Sequence, residues 1–410
     1  MVLNNKPKVD ILTQYFYPDV ATTGQLLTEL AVDLVKQGSK VGVITGFPSY
    51  SGKKVTVADR EDFKGIQIRR IQSTKFNKNT KLGRILNSLS FFISTLFFTF
   101  FCSDGKATLL IVSNPPFLPL VGLFYKFLRR QKFIFLVHDV YPDIAIRLGY
   151  LKEFGIISTL WHFMNRWVYK KADKVIVLGD YMKETLLAKW CDELKSNKIV
   201  VIHNWTDEEF IKPLDKSENE FAKKHDLTEK IVIQYSGNLG LFQDLETLIY
   251  AAEGLRRKNM FFLFIGDGGK KNKLERMVKD MQLENVMFLP YQPLEVVPYS
   301  LTCSDISIVT LERGAEGLGV PSKTYSILAS GRPILALVEE RCEVAEIISS
   351  YNCGFRVDPG DVEGVVRVLT LLYYNQQLIK ELGEKARLCF EQNFTRSIIT
   401  KQYFDLFLSL

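Results

Sequence analysis

Short apolar runs closed by glycine, asparagine or proline recur along this chain, and segments of helical period separate them. Val9–Gln14 reads as a strand, followed by a loop with Tyr17-Pro18-Asp19 and then Thr22-Thr23-Gly24. Leu26, Leu27, Leu30, Ala31, Leu34 and Val35 follow with a period near 3.6. Gly38 closes that helix, and Lys40–Thr45 is the next strand. Strand, helix and strand in so short a span predict a parallel βαβ unit. Ala107–Ser113, Phe133–Val137, Lys174–Leu178 and Lys198–Ile202 continue the pattern. The polar, charge-rich stretch from Asn204 to about Lys230, with Pro213 inside it, predicts a domain boundary. The grammar then restarts with Ile231–Tyr235, Phe261–Ile265, Val286–Leu289, Ile306–Thr310 and Pro333–Leu337. Two doubly wound α/β domains of roughly equal size are expected, without a short-period repeat.

One stretch departs from that grammar. Ile85–Cys102 carries no charge and is rich in phenylalanine, at the threshold length for a membrane span. Asn87, Ser88, Ser90, Ser94, Thr95 and Thr99 interrupt it, and it lies between elements of one expected sheet, which weighs against spanning. Lys75, Lys78, Lys81 and Arg84 flank it, with Lys126, Arg129, Arg130 and Lys132 further on. Apolar aromatics with a basic margin fit a helix lying in an anionic membrane interface. A helix wholly buried against the sheet is the other reading.

Composition narrows the classes. The 410 residues are 47% hydrophobic and 24% charged, so the chain can bury a core and is not disordered. A net charge of +7 is too small to argue for nucleic acid. Cys102, Cys191, Cys303, Cys342, Cys353 and Cys389 are scattered with no CxxC pair, and only four histidines occur. Neither a disulfide scaffold nor a zinc site of ordinary spacing is expected. The start, Met1 to Lys8, has no apolar core of a signal peptide, and a reducing cytoplasm is the expected compartment. The sequons at Asn204 and Asn393 then carry no weight.

In open α/β sheets, ligands sit beyond the carboxyl ends of strands. Thr22-Thr23-Gly24 precedes a helix, His138-Asp139 follows an apolar strand, and Ser236-Gly237-Asn238-Leu239-Gly240 with Gln243-Asp244 follows another. Gly266-Asp267-Gly268-Gly269 ends a further strand. None has the GxGxxG or GxxxxGK fingerprint, and Gly46, Gly52 and Lys53 miss the latter by one residue. The richest segment runs from Glu316 through Gly317, Gly319, Val320, Pro321 and Lys323 to Ser326, then to Gly331-Arg332-Pro333. A glycine-rich turn into a short helix there offers backbone N–H groups and the Lys323 charge to a diphosphate.

Those residues resemble glycosyltransferase family 4. Ser236-Gly237-Asn238-x-Gly240-x-x-Gln243, Val320-Pro321-Ser322-Lys323 and Leu328-Ala329-x-Gly331-Arg332-Pro333 are similar to its colanic-acid and O-antigen branch. The resemblance covers nearly the whole chain. It implies a GT-B fold, two Rossmann-like domains facing across a cleft. It implies residues 1–205 as an acceptor domain with a membrane-interface segment near 81–102. Residues 206–395 would be the donor domain, and 396–410 a helix packing back on the first. It further implies a retaining, metal-independent transferase acting in cell-surface polysaccharide synthesis, with a nucleotide-sugar donor and no cofactor. The acceptor would be a lipid-linked saccharide or oligosaccharide at the inner face of the plasma membrane.

By the same resemblance, Glu316 and His138 are the catalytic candidates, Glu316 matching the first Glu of the family's Glu-x7-Glu motif. Gly24, Gly237, Asn238, Gln243, Gly266, Asp267, Gly317, Gly319, Val320, Lys323 and Ser326 would face donor and phosphates, and Asp139 and Tyr17 the acceptor. There are departures. Thr324 stands eight residues after Glu316, and Ser326 stands five before Gly331, so the motif's second Glu is missing. Asn238 and Gln243 occupy places where relatives carry Arg and Lys, leaving Lys323 or Arg332 to supply charge. Two other readings stay open: a membrane-associated adaptor of weakened activity, motivated by the missing Glu, and a dinucleotide oxidoreductase, against which residues 13–24 lack GxGxxG.

Overall fold

The structure, a computed structural model, describes residues 6–19, 21–48, 57–76, 80–102, 105–191 and 194–410. It divides into two compact units, Met1–His203 with Ser397–Leu410, and Asn204–Arg396.

In chain order the first unit holds β1 (Lys8–Leu12), α1 (Thr22–Lys36), β2 (Lys40–Gly46), β3 (Arg60–Phe63), β4 (Ile66–Ile71) and α2 (Lys81–Cys102). Then come β5 (Thr108–Val112), α3 (Pro119–Arg129), β6 (Phe133–Val137), α4 (Asp143–Arg147), α5 (Ile156–Lys171), β7 (Lys174–Val177), α6 (Asp180–Trp190) and β8 (Ile199–Val201). The described strands form one sheet in the order β3-β4-β2-β1-β5-β6-β7-β8, parallel except for β3. The central strands are apolar on both faces, as a sheet covered by helices on both sides requires; every side chain of β6 is buried. Right-handed crossovers set the layers. The connections from β4 to β5, β5 to β6, β6 to β7 and β7 to β8 all advance one way, so α2, α3, α5 and α6 cover one face. The β1–β2 connection runs the other way and puts α1 on the opposite face.

The second unit holds α7 (Glu220–Lys224), β9 (Ile231–Ser236), α8 (Glu246–Gly254), β10 (Met260–Ile265), α9 (Lys271–Asp280), β11 (Val286–Leu289), α10 (Val297–Thr302) and β12 (Ile306–Thr310). After them come α11 (Lys323–Ala329), β13 (Ile334–Leu337), α12 (Glu343–Tyr351), β14 (Gly354–Val357), α13 (Val362–Tyr374) and α14 (Gln376–Asn393). Its sheet, β11-β10-β9-β12-β13-β14, is wholly parallel. Apolar clusters fill both sides of it, one around Tyr235, Phe262 and Leu369 and one around Val309, Tyr325 and Phe390. A last helix, α15 (Arg396–Leu408), brings the carboxyl end to the first unit, where Lys132 Nζ donates to the Leu410 carbonyl.

The two units divide at the start of the polar stretch where a boundary was expected, between His203 and Asn204, and Trp205, Ile211, Phe221 and Leu227 within that stretch are buried in the second unit. Two readings of the sequence change here. The hairpin β3–β4 and the edge strand β14 extend the expected sheets. The stretch 85–102 is a helix with one face in and one out, neither wholly buried nor free. Among the described residues no helix is long and apolar enough to cross a membrane. Of its flanking cations, Lys78 lies outside the described residues, as do Gly52 and Lys53 of the near-Walker spacing.

Candidate functional site

Two glycine turns meet at the carboxyl end of the second sheet. Gly237 follows β9 at φ +140°, and Gly266 follows β10 at φ +143°. A Cβ on Gly266 would lie 1.9 Å from the Gly237 carbonyl oxygen, and one on Gly268 2.5 Å from Leu239. Only glycine permits both the backbone angle and that approach. Gly237 N–H donates to the Ile265 carbonyl at 2.8 Å, Leu239 N–H to Asp267 at 2.9 Å, and Lys270 N–H back to Leu239 at 2.9 Å. Asn238 and Gln243 stay with this loop: the Asn238 carbonyl accepts from Tyr235 Oη at 2.7 Å, and Gln243 Oε1 accepts from Gly240 N–H at 3.1 Å.

Lys323, the first residue of α11, reaches the same turn. Its Nζ is buried without a hydrogen-bond partner and lies 3.5 Å from the centroid of the Tyr235 ring. A Cβ on Gly237 would stand 3.1 Å from that Nζ. With no anion beside it, burial pulls its pKa down to about 7. Lys270 differs. It is tied to Glu246 at 2.8 Å, Glu312 at 2.6 Å and the Gln243 carbonyl at 2.7 Å, a network that braces the loop.

Glu316 opens a turn with Gly317 at φ +68°. Its Oε1 accepts from Glu339 N–H at 3.3 Å, and its buried Oε2 has no partner. Burial, then the hydrogen-bonding and charge of the Glu339 carboxyl, push Glu316 up to about 7. Glu339 Oε2 in turn accepts from Gly314 N–H at 3.1 Å. Glu339 is absent from the expectations above. It follows β13, and the parallel β12–β13 pairing brings it to the Glu316 turn. Gly319 and Val320 lead into α11 and are half-buried.

Several expected residues take other places. Thr324 is wholly buried, and the Ser326 hydroxyl donates to the Lys323 carbonyl at 2.9 Å, bonding back within its own helix. Arg332 precedes β13 and so stands at the amino end of the sheet, opposite the glycine turns. There it binds the Leu214 and Thr302 carbonyls at 2.7 and 2.6 Å, and it supplies no charge to the Gly237 turn. That leaves Lys323.

In the first unit, His138 and Asp139 leave β6, and both backbone N–H groups donate to Ser113 Oγ, at 3.0 and 3.2 Å. His138 Nε2 is buried without a partner. Burial lowers the imidazole to about 4 and raises Asp139 to about 6, so His138 is neutral at pH 7. Gly24 is not in a loop. It sits in the first turn of α1, where a Cβ would stand 3.3–3.4 Å from the Tyr15–Phe16 backbone. The Tyr17 ring stacks on Phe63 at 3.9 Å. Among the described residues no group of three or more His, Cys, Asp or Glu is placed to hold a metal.

The two units match two family models. Residues 23–210 match Glycosyltransferase Family 4 and residues 215–388 match Glycosyl transferases group 1. The chain is 27% identical over 402 residues to the probable glycosyltransferase WbjE of Pseudomonas aeruginosa, covering 97% of this chain and 96% of that one. It is 26% identical to the putative colanic acid biosynthesis glycosyl transferase WcaI of Escherichia coli, covering 90% and 94%. Among solved structures it superposes on sucrose-phosphate synthase of Thermosynechococcus elongatus with a TM-score of 0.79 at 14% identity, covering 98% of each chain. Anabaena HepE, solved with UDP and glucose, gives a TM-score of 0.74 at 14% identity, covering 98% of this chain and 100% of that one. That likeness carries the fold.

Proposed function

The chain is a glycosyltransferase of the GT-B fold, of the family 4 and group 1 type, and we propose that it moves a sugar from a nucleotide-sugar donor to a lipid-linked saccharide. The observation that carries the donor half is the buried Lys323 ammonium, without a partner, against the Gly237 turn. A diphosphate over Gly237 and Gly266 would supply the missing anion. The Gly319 and Val320 N–H groups would add neutral donors to the same phosphates. Binding of UDP by HepE, a protein of the same fold, supports a nucleoside diphosphate as leaving group.

Transfer then breaks the bond from the anomeric carbon to the donor phosphate and forms one to the acceptor oxygen. With retention, the leaving phosphate oxygen takes the acceptor's proton on the same face. Glu316, ionised, would hold sugar hydroxyls and favour the positive charge that grows on the ring. His138, neutral and with Nε2 free of partners, would hydrogen-bond the transferring sugar without adding a competing cation. No metal is needed in this scheme, because Lys323 and backbone N–H groups meet the phosphate charge. The resemblance of WcaI to this chain supports a cell-surface polysaccharide as the end product. The work would be done on the cytoplasmic side of a membrane.

The test is a transfer assay in chelator, with NMR of the anomeric proton of the product. Transfer with the donor's own anomeric configuration supports the reading. Inversion, or transfer that appears only when a divalent cation is restored, overturns it.

A further inference from the structure

Helix α2 sits inside out. The residues it turns toward the protein are Gly83, Asn87, Phe91, Thr95 and Thr99, one stripe at i, i+4 spacing that is mostly small or polar. Local bonds satisfy them. Asn87 Oδ1 accepts from Phe76 N–H at 2.9 Å and from Thr74 Oγ1 at 3.0 Å, while its Nδ2 donates to the Phe76 carbonyl at 3.0 Å. Thr95 Oγ1 donates to the Phe91 carbonyl at 2.7 Å, and Thr99 Oγ1 to that of Thr95. The outward side carries Ile85 and Phe97, exposed by 56% and 62%. A surface helix of a soluble protein has the opposite arrangement.

The neighbours on the same face of the sheet extend this surface. Phe127 of α3 is exposed, as are Ile156 and Phe163 of α5 and Phe154 just before it. The Phe100 and Phe124 rings, 6.5 Å apart, join α2 to α3, and Lys171 of α5 lies 5.4 Å from the Phe127 ring. One apolar area therefore runs across three helices, far more than scattered exposed side chains. Within the three helices the charge has one sign; outside them, exposed Glu153 adjoins Phe154, and Asp173 pairs with Lys126 at 2.5 Å. Helices α2, α3 and α5 contain no Asp or Glu, against seven Lys and Arg, in a chain with 46 acidic residues. Arg129 lies over the Phe100 ring at 5.6 Å and Lys170 over Trp167 at 5.7 Å, cations resting on the aromatic surface. Next along the same face, α6 carries exposed Asp180 and Glu184, and there the one-sided charge ends.

We propose that the outward faces of α2, α3 and α5 form one docking surface for an anionic lipid bilayer, with α2 lying in the interface. Charge complementarity selects this occupant. A second copy seated face to face would oppose cation to cation, whereas anionic headgroups complement the cations and acyl chains receive the phenylalanines. The proposal rests on the reading of a lipid-linked acceptor, since it would hold the first unit where such an acceptor resides.

The experiment uses the full chain and vesicles that contain neither donor nor acceptor. It is therefore blind to whether sugar transfer is correctly assigned. Co-sedimentation is measured with phosphatidylcholine vesicles and with phosphatidylcholine–phosphatidylglycerol vesicles. Binding is expected to the mixed vesicles alone, falling with salt, and each of Phe97→Ser, Phe127→Ser and Phe163→Ser should weaken it about tenfold. These side chains face solvent, so the melting temperature should hold; a variant that melts early is replaced by wild-type protein with brominated lipid. Quenching of Trp167 fluorescence, lost in Trp167→Phe, is the expected result there. Equal binding to both vesicles, no binding to either, unchanged binding in all three variants, or a dimer that the variants dissolve would each overturn the proposal.

Discussion

Glu316 and Glu339 lie 23 residues apart in sequence and meet at one turn, where the Glu339 N–H donates to Glu316 Oε1 at 3.3 Å. The nearby Glu339 carboxyl adds to burial in raising Glu316 to about 7. Glu316 therefore changes charge near neutrality. If the ionised form serves transfer, kcat/KM falls about tenfold per unit below pH 7, because kcat/KM reports the free enzyme. Glu339→Gln removes the neighbouring charge, so the acid limb should move to lower pH with the maximum rate retained. Glu316→Gln should abolish that limb and cost on the order of a hundredfold in rate. A pH–rate profile of the three proteins decides; an unmoved limb in Glu339→Gln separates the pair.

Lys323 gives the opposite limb. Its pKa of about 7 rises once a diphosphate lies beside it, so donor binding takes up a proton above pH 7. Donor Kd should then weaken about tenfold per unit from pH 7 upward, a dependence that Lys323→Met abolishes. Titration calorimetry at several pH values is the check.

The same lysine makes a claim about stability without ligand. Its folded pKa is depressed from the ordinary 10.5 to about 7. The unfolded chain thus binds the extra proton between those values, and stability contributed by this group rises with pH across that window. Below pH 7 the buried ammonium is a cost. Lys323→Met should raise the melting temperature at pH 7 and flatten the rise toward pH 10, as read by differential scanning calorimetry.

Gly266→Ala should fail at both levels. The added Cβ meets the Gly237 carbonyl at 1.9 Å, and φ +143° is closed to alanine. A loss of about 2–4 kcal/mol is expected from strain and displaced backbone. Gly149→Ala is the control, with nothing within 4 Å of its Cβ, although φ +70° leaves a smaller strain. Chemical denaturation of both variants measures the difference.

Much of this was legible along the chain, for local reasons. Apolar runs marked β6, which ends at His138, and β9 and β10, which end at the Gly237 and Gly266 turns, since a buried parallel strand and its turn are contiguous. Strand β3 escaped because Arg60–Phe63 is a charged edge strand with little to bury. Strand β4 did carry a signal: Ile66, Ile68 and Ile71 are buried in a near-alternating run. Glu339 could not be found locally, because parallel pairing of β12 with β13 brings it to Glu316. Arg332 misled for a related reason. It adjoins the motif in sequence, yet it precedes its strand while the glycine turns follow theirs, so a whole strand length separates them. The inside-out packing of α2 shows only once its polar stripe is seen against Thr74 and Phe76.

A nucleotide-sugar bound at the Gly237 and Gly266 turns would be held through Lys323. A thermal-shift screen in chelator against UDP-, GDP-, ADP- and CMP-sugars, on wild-type protein and Lys323→Ala, tests it most directly. A donor at ~100 times its Kd should stabilise the wild type by ~2.7 kcal/mol. A shift from one nucleotide class is expected in the wild type, and its loss in Lys323→Ala. No shift with any donor in a folded sample, or an equal shift in both proteins, would contradict it.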